Sequence, residues 1–194
     1  MPLHQPLDLI DRQRSSQQAL CDMLERIADS LPGNVDRALV NEVLFVLTRD
    51  LPLLHRDENE GLIPLLQNRC EPGEPLFTML ERMIREHGAD QGFADEIIEA
   101  LQPLASGGSP QNPEMLGYML RGFFESYRRH LGWERDVVLP EAAERLTRGD
   151  LLELESKMRV HRADRDLATR IRGDEPRETE KQSDRATGRR CGID

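Results

Sequence analysis

His130 and Glu134 lie four residues apart in a segment whose other members at helical spacing are apolar. The whole stripe consists of Leu116, Leu120, Phe123, Tyr127, His130, Glu134 and Val137. Residues at this spacing share one face of a helix, and the apolar members indicate that this face turns towards a core. A carboxylate there must be paired, hydrogen-bonded or bound to a metal, because burying a bare charge is costly. The chemistry that this pattern favours is metal binding by imidazole and carboxylate ligands on facing helices.

Three other segments place polar residues on otherwise apolar helical stripes. They are Arg14 and Gln17 in a helix spanning about 6–30, Glu58 in a helix spanning about 35–68, and His87 in a helix spanning about 76–101. Pro52 is expected to bend the second of these helices, since proline removes a backbone donor and clashes with the preceding turn. The four stripes therefore predict one polar layer to which every helix contributes.

Pro- and Gly-rich loops separate the predicted helices, and four long amphipathic helices with short connections predict an all-α, up-down-up-down four-helix bundle. Thr147 is expected to cap a short fifth, C-terminal helix, with Asp150 three residues on as in a capping box. We assign residues 1–160 to the bundle. Residues 161–194 alternate in charge and are expected to form a disordered tail.

Composition narrows the class of protein. The net charge is −10, which argues against a nucleic-acid groove or an anionic membrane surface as partner. No apolar run approaches the roughly 20 residues that span a bilayer, and the first residues lack the pattern of a signal peptide. Three scattered cysteines, Cys21, Cys70 and Cys191, favour reduced thiols over a disulfide framework. We expect a soluble cytoplasmic domain.

Several of these segments, taken in order, resemble one known family. They are Asp57-Glu58, Glu86-His87, the run from Tyr127 to Glu134, and Leu139-Pro140. In this order within a helical bundle they are similar to the hemerythrin-like, or HHE cation-binding, domains, and the resemblance covers about residues 6–160. It implies a four-helix bundle around a non-heme di-iron centre, with roles in oxygen binding, nitric oxide or redox sensing, or iron handling.

The resemblance implies an incomplete ligand set. Glu58, His87, His130 and Glu134 match the family's ligand positions, whereas the histidine position of the first helix falls on Arg14. The surviving residues form one half-site together with the two carboxylates that would bridge two metals. They would hold a single ion (iron, zinc or manganese) or none, rather than two.

The histidine position of the second helix falls on Leu54, next to His55. A step of one residue turns a side chain by about 100° around a helix, so His55 would need a local shift near Pro52 to take part. His55 and Gln17 are therefore auxiliary candidates. We further expect Arg14 to replace one metal ion electrostatically, by pairing with Glu58 or Glu134, since guanidinium binds carboxylates and keeps its proton.

The remaining polar residues near these positions have ordinary interpretations. Asp57, Asn59 and Glu60 fall on other faces of the second helix, and without such a shift His55 is expected to be solvated, together with His4 and His161. Tyr127 and Trp133 are expected to serve packing.

Three functions compete. The first is a metal-binding domain that senses or binds a small ligand such as oxygen or nitric oxide. The second is a metal-free structural or protein-interaction bundle descended from the family, with no partner identified. The third, a di-iron oxidase, ranks last because it needs two metals. No nucleophile–base pair, phosphate-binding loop or dinucleotide fingerprint occurs, so no catalytic residue is assigned.

Overall fold

Five helices make up the part of the chain that the computed structural model describes, residues 5–173. They are α1 (Gln5–Ser30), α2 (37–67), α3 (Pro75–Ala105), α4 (113–145) and α5 (Arg148–Gly173). Helices α1–α4 form a bundle in which α1 packs along α4 and α2 along α3. No strand occurs between residues 5 and 173, and the all-α prediction is confirmed. The part of the predicted tail beyond residue 173 lies outside the described residues.

The helix ends follow from local chemistry. The Asp36 side chain accepts a hydrogen bond from the Ala38 N–H at 2.8 Å before α2, and the Asn112 side chain accepts one from the Met115 N–H at 3.0 Å before α4. Both are N-cap residues, which satisfy backbone donors that have no partner inside the helix. Gly107, with φ of 84°, ends α3 in a left-handed conformation that side-chain-bearing residues avoid.

A polar layer divides the hydrophobic core into two clusters. One cluster contains the second half of α1, the first half of α2, the second half of α3 and the first half of α4. The other contains the opposite ends of these helices together with the inner face of α5. The polar residues predicted on the four stripes fall between the clusters along each helix. The bundle therefore encloses a site at mid-depth, sealed by apolar side chains above and below.

Three π-helical turns interrupt the long helices: Val46–Asp50 and Asp57–Leu62 in α2, and Glu134–Val138 in α4. Each is followed by a proline at the second residue of the next α-helical segment, namely Pro52, Pro64 and Pro140. Proline has no N–H and its ring clashes with the carbonyl four residues earlier. A wider turn relieves the clash, so the residue before each proline bonds to the carbonyl five residues back.

The π-helical turns shift the register of the residues within and beyond them. The apolar stripe of α4 was predicted to end on Val137, but Val138 is the buried residue, at 1% exposed, and Val137 is only half-buried. One extra residue in the Glu134–Val138 turn accounts for the difference. The bend expected at Pro52 is likewise a π-helical turn.

Helix α5 is longer than the short helix that the sequence predicted. The predicted capping box is present: the Thr147 N–H donates to Asp150 Oδ2 at 2.8 Å and the Asp150 N–H to Thr147 Oγ1 at 3.3 Å. The helix then continues without a break through residue 160 to Gly173. Its inward-facing stripe continues from Met158 to His161, which is buried. Because histidine is polar, the apolar pattern in the sequence did not indicate that the helix continues there. None of the five helices is long and apolar enough to cross a membrane.

Candidate metal centre

Four side chains from α2, α3 and α4 converge in the polar layer. Glu58, His87, His130 and Glu134 are between 1% and 8% exposed. His130 Nε2 lies 2.7 Å from Glu134 Oε1 and 3.1 Å from His87 Nε2. His87 Nε2 lies 3.4 Å from Glu58 Oε2 and 3.6 Å from Glu134 Oε1. The structure thus brings together all four residues that were predicted as ligands.

His87 is oriented by a residue of α2. Its Nδ1 lies 2.6 Å from Asn59 Oδ1, and burial lowers the pKa of the imidazole. When the neutral ring donates a hydrogen bond from its Nδ1–H to Asn59, the lone pair of Nε2 points into the centre. Metal-binding histidines are commonly held in this way, by an oxygen that accepts from the second ring nitrogen.

His130 is oriented by a carboxylate of α3. Its Nδ1 lies 3.3 Å from Glu86 Oε2, while Nε2 faces Glu134. Burial opposes the charged ring, but the hydrogen bond and the charge of Glu134 outweigh burial and raise the pKa of His130 to about 9. The same contacts outweigh the effect of burial on Glu134 and lower its pKa to about 2. The two groups therefore form a buried ion pair between a protonated His130 and an ionised Glu134.

The two central carboxylates are incompletely satisfied. Glu58 Oε2 and Glu134 Oε2 are buried and have no hydrogen-bond partner. Burial, together with the nearby charges of Glu134 and Asp57, raises the pKa of Glu58 well above its usual value. Two carboxylates near one another in a buried layer are costly unless one of them takes up a proton, as the raised pKa of Glu58 favours, or a cation lies between them.

His55 lies inside the bundle, and the expectation that it is solvated is wrong. It is 5% exposed, and its ring stacks on that of His87 with 4.3 Å between centroids. Its Nε2 lies 3.5 Å from the Tyr127 hydroxyl, and burial lowers the pKa of the ring well below its usual value. The π-helical turn before Pro52 provides the local shift that His55 needed in order to face the interior of the bundle.

The α1 side of the layer is occupied by Arg14 and Gln17. The ion pair expected between Arg14 and Glu58 or Glu134 is not formed: Arg14 pairs with Asp11 and donates to the Leu131 carbonyl at 3.3 Å. The guanidinium charge still opposes the rise in the pKa of Glu58. Gln17 is 1% exposed and its Oε1 has no hydrogen-bond partner.

The donor set fits a transition-metal ion. His87, His130 and Glu134 each offer a ligand atom, and these atoms lie within 4.8 Å of one another. Two imidazole nitrogens with carboxylate oxygens suit iron, zinc or manganese. The oxygens of Glu58 and Glu134 that lack a hydrogen-bond partner would be available as ligands of such an ion.

A cleft of about 500 Å³ leads from solvent to His130 between α3 and α4. Its lining includes Glu86 and Asp90 of α3 together with Arg129, His130 and Trp133 of α4. Burial raises the pKa of Asp90 to about 6. The outer edge of the His130 ring is therefore the side of the centre that a small molecule can approach.

Comparison with known protein families matches residues 5–142 to the hemerythrin HHE cation-binding domain. The chain belongs to this family. The match covers α1–α3 and most of α4, which are the helices that bring the polar layer together. No curated protein and no solved structure matches the chain.

Membership of the HHE family accounts for the four stripes, but sequence analysis missed residues around them. Asn59 and Asp57 were placed on other faces of the helix, whereas Asn59 contacts His87 and Asp57 is fully buried. The π-helical turn Asp57–Leu62 widens the helix where these residues lie. Glu86 was passed over although it precedes His87. Pro64, which follows that turn in the sequence, was the feature from which the widened turn, and with it the position of Asn59, could have been predicted.

Proposed function

We propose that this HHE domain binds one metal ion, non-heme iron or alternatively zinc or manganese, through Glu58, His87, His130 and Glu134. The observation that carries the proposal is the orientation of the two imidazoles. Each has its Nδ1 against an oxygen, of Asn59 or Glu86, and its Nε2 towards the other ring. This leaves two nitrogens and two carboxylates directed at one point.

One ion rather than two follows from the α1 side of the layer. Arg14 has no lone pair with which to bind a metal and keeps its charge. Leu54 occupies the family's second histidine position and lies in the apolar core. His55 stacks on His87 with its Nε2 towards Tyr127, so it supports the ring of a ligand. Gln17 is an auxiliary candidate with one free acceptor.

The proposed role is small-ligand or redox sensing, or iron handling, and not catalysis. A bound iron would supply an open coordination position and a redox couple. The cleft beside His130 supports access by a molecule as small as oxygen or nitric oxide. Apolar clusters on both sides of the layer would exclude bulk water from the ion.

Metal analysis of protein expressed with added iron and purified without chelator tests this proposal. We expect about one ion per chain, lost in the His87→Ala, His130→Ala double variant and in Glu134→Gln. Glu125→Gln is the matched control, since Glu125 is an exposed carboxylate of α4. About two ions per chain would show that His55 or Gln17 completes a dinuclear centre.

A metal-free structural or protein-interaction bundle is the second candidate. The contact that favours it is the 2.7 Å hydrogen bond between His130 and Glu134, since a protonated imidazole can supply the positive charge that the carboxylate needs. Under this alternative Arg14→Met would be tolerated, because Arg14 pairs with the exposed Asp11 of its own helix and not with Glu58 or Glu134. Absence of bound metal under every loading condition, in a wild-type protein and a double variant that fold equally well, would establish it.

A further inference from the structure

Helix α5 reaches the π-helical turn that carries Glu58. Asp57, the residue before Glu58, is 0% exposed and lies 2.8 Å from His161 Nδ1 and 3.0 Å from an Arg162 Nη atom. Gln13 of α1 donates to the same carboxylate at 3.4 Å. Three donors from two other helices therefore hold this fully buried carboxylate in one position.

His161 holds the turn at a second position. Its Nε2 lies 3.2 Å from Glu60 Oε2, so both ring nitrogens face carboxylate oxygens of one π-helical turn. His161 is 4% exposed, which contradicts the expectation that it is solvated. Its two partners, Asp57 and Glu60, lie three residues apart in the turn. Any rotation of the turn would therefore break one contact or the other.

Close packing of α5 against the same turn restricts it further. A Cβ atom added at Gly61 would lie 2.7 Å from Leu154 Cδ1, and Leu154 is 0% exposed. A side chain at position 61 would therefore have to push the end of the buried Leu154 side chain aside. On the outer edge, Arg56 pairs with Asp164 at 3.1 Å. The polar and steric contacts of α5 therefore converge on residues 56–61.

We infer that α5 is a clamp that positions the metal ligand Glu58, with His161 and Arg162 acting through Asp57. Consecutive residues of a helix point about 100° apart. When α5 fixes the direction of the Asp57 side chain, it also fixes that of the Glu58 side chain, which lies about a quarter turn away around α2 and faces the polar layer. His161 is thus a positioning residue for the centre and not a ligand.

The clamp lies outside the matched family domain. The match ends at residue 142, and α5 begins at Arg148. The C-terminal helix would therefore adjust the centre from beyond the four helices that supply its ligands. This inference rests on the proposed metal site, because it concerns the geometry of one of its ligands.

Cobalt(II) binding to the full chain tests the clamp, since the visible absorption of this ion reports its ligand geometry. We expect His161→Ala to weaken cobalt(II) affinity by about 10- to 100-fold, as for other residues that orient metal ligands, and to change the absorption spectrum. His161→Gln, whose amide can still donate to Asp57, should recover part of the affinity. Arg159→Ala, on the exposed face of α5, should match wild type in both respects.

A purely structural role for His161 predicts a different result. It would lower the melting temperature of His161→Ala while leaving the spectrum and affinity of the folded protein equal to those of Arg159→Ala, and that result would overturn the clamp. If His161→Ala does not fold, the same comparison applies to His161→Gln and Arg162→Ala. A wild-type chain that binds no cobalt(II) would instead overturn the metal site and the clamp with it.

Discussion

Glu58 and Glu134 occupy equivalent positions on α2 and α4: each lies six residues before a proline, Pro64 or Pro140. The backbone carbonyl of each glutamate accepts a π-helical hydrogen bond from the residue that precedes that proline. The two carboxylates of the candidate centre thus begin, or nearly begin, a widened turn in both helices. We therefore expect the prolines, although six residues along the chain from the glutamates, to determine how the two carboxylates are presented to the polar layer.

Replacing Pro140 with alanine should weaken metal binding. The new N–H can bond four residues back, so the turn Glu134–Val138 can contract to an α-helix and rotate Glu134 relative to Val138. We expect roughly 10-fold or greater loss of cobalt(II) affinity with no loss of helix content by circular dichroism. Pro103→Ala is the control, because Pro103 lies inside α3 away from any π-helical turn. Equal affinities for the two variants would contradict this role of proline.

The sequence was sufficient to predict the four helices of the bundle and the four candidate ligands that meet in the polar layer. Apolar stripes at α-helical spacing identify the inward face of each helix, and polar interruptions at similar depth identify the layer. The same periodicity fails where the spacing itself changes. Val137 was predicted in place of Val138, and Asp57 and Asn59 were placed on outer faces, because a regular 3.6-residue period was carried through π-helical turns.

Contacts between distant segments were the other part that the sequence did not reveal. His161 meets Asp57, which is 104 residues earlier, and no local spacing connects them. The expected pairing of Arg14 with Glu58 failed for a related reason. A nearer carboxylate, Asp11 on the same helix, was available to Arg14, and stripe positions do not decide between such partners.

Glu58→Gln should separate metal binding from stability. The variant removes a buried carboxylate that has an unsatisfied oxygen and lies near a second carboxylate. We expect the metal-free protein to be stabilised by about 1–3 kcal/mol, seen as a higher midpoint in urea unfolding, while stoichiometric metal binding is lost. Glu125→Gln should change neither quantity. A destabilised metal-free Glu58→Gln would mean that the carboxylate is well satisfied without metal.

The two described cysteines should differ in reactivity. Cys21 is fully buried, and burial raises the pKa of its thiol to about 12, whereas Cys70 is half-buried. Because the thiolate is the reactive form, Cys21 should stay unlabelled by an aromatic disulfide reagent between pH 7 and pH 9. Cys70 should react, and faster as the pH rises. Cys191→Ser provides the background, since residue 191 lies outside the described residues, and labelling of both thiols in denaturant is the control.

The core cluster opposite α5 should contribute to stability without affecting the centre. Leu101 of α3 is 0% exposed and packs in that cluster, away from the polar layer. We expect Leu101→Ala to lower the free energy of unfolding by about 2–5 kcal/mol, measured by chemical denaturation, and to leave the metal stoichiometry of the folded protein unchanged. Leu152→Ala is the matched control because Leu152 is 57% exposed, and it should cost less than about 0.5 kcal/mol. Loss of metal from folded Leu101→Ala would show that the two ends of the bundle are coupled through the layer.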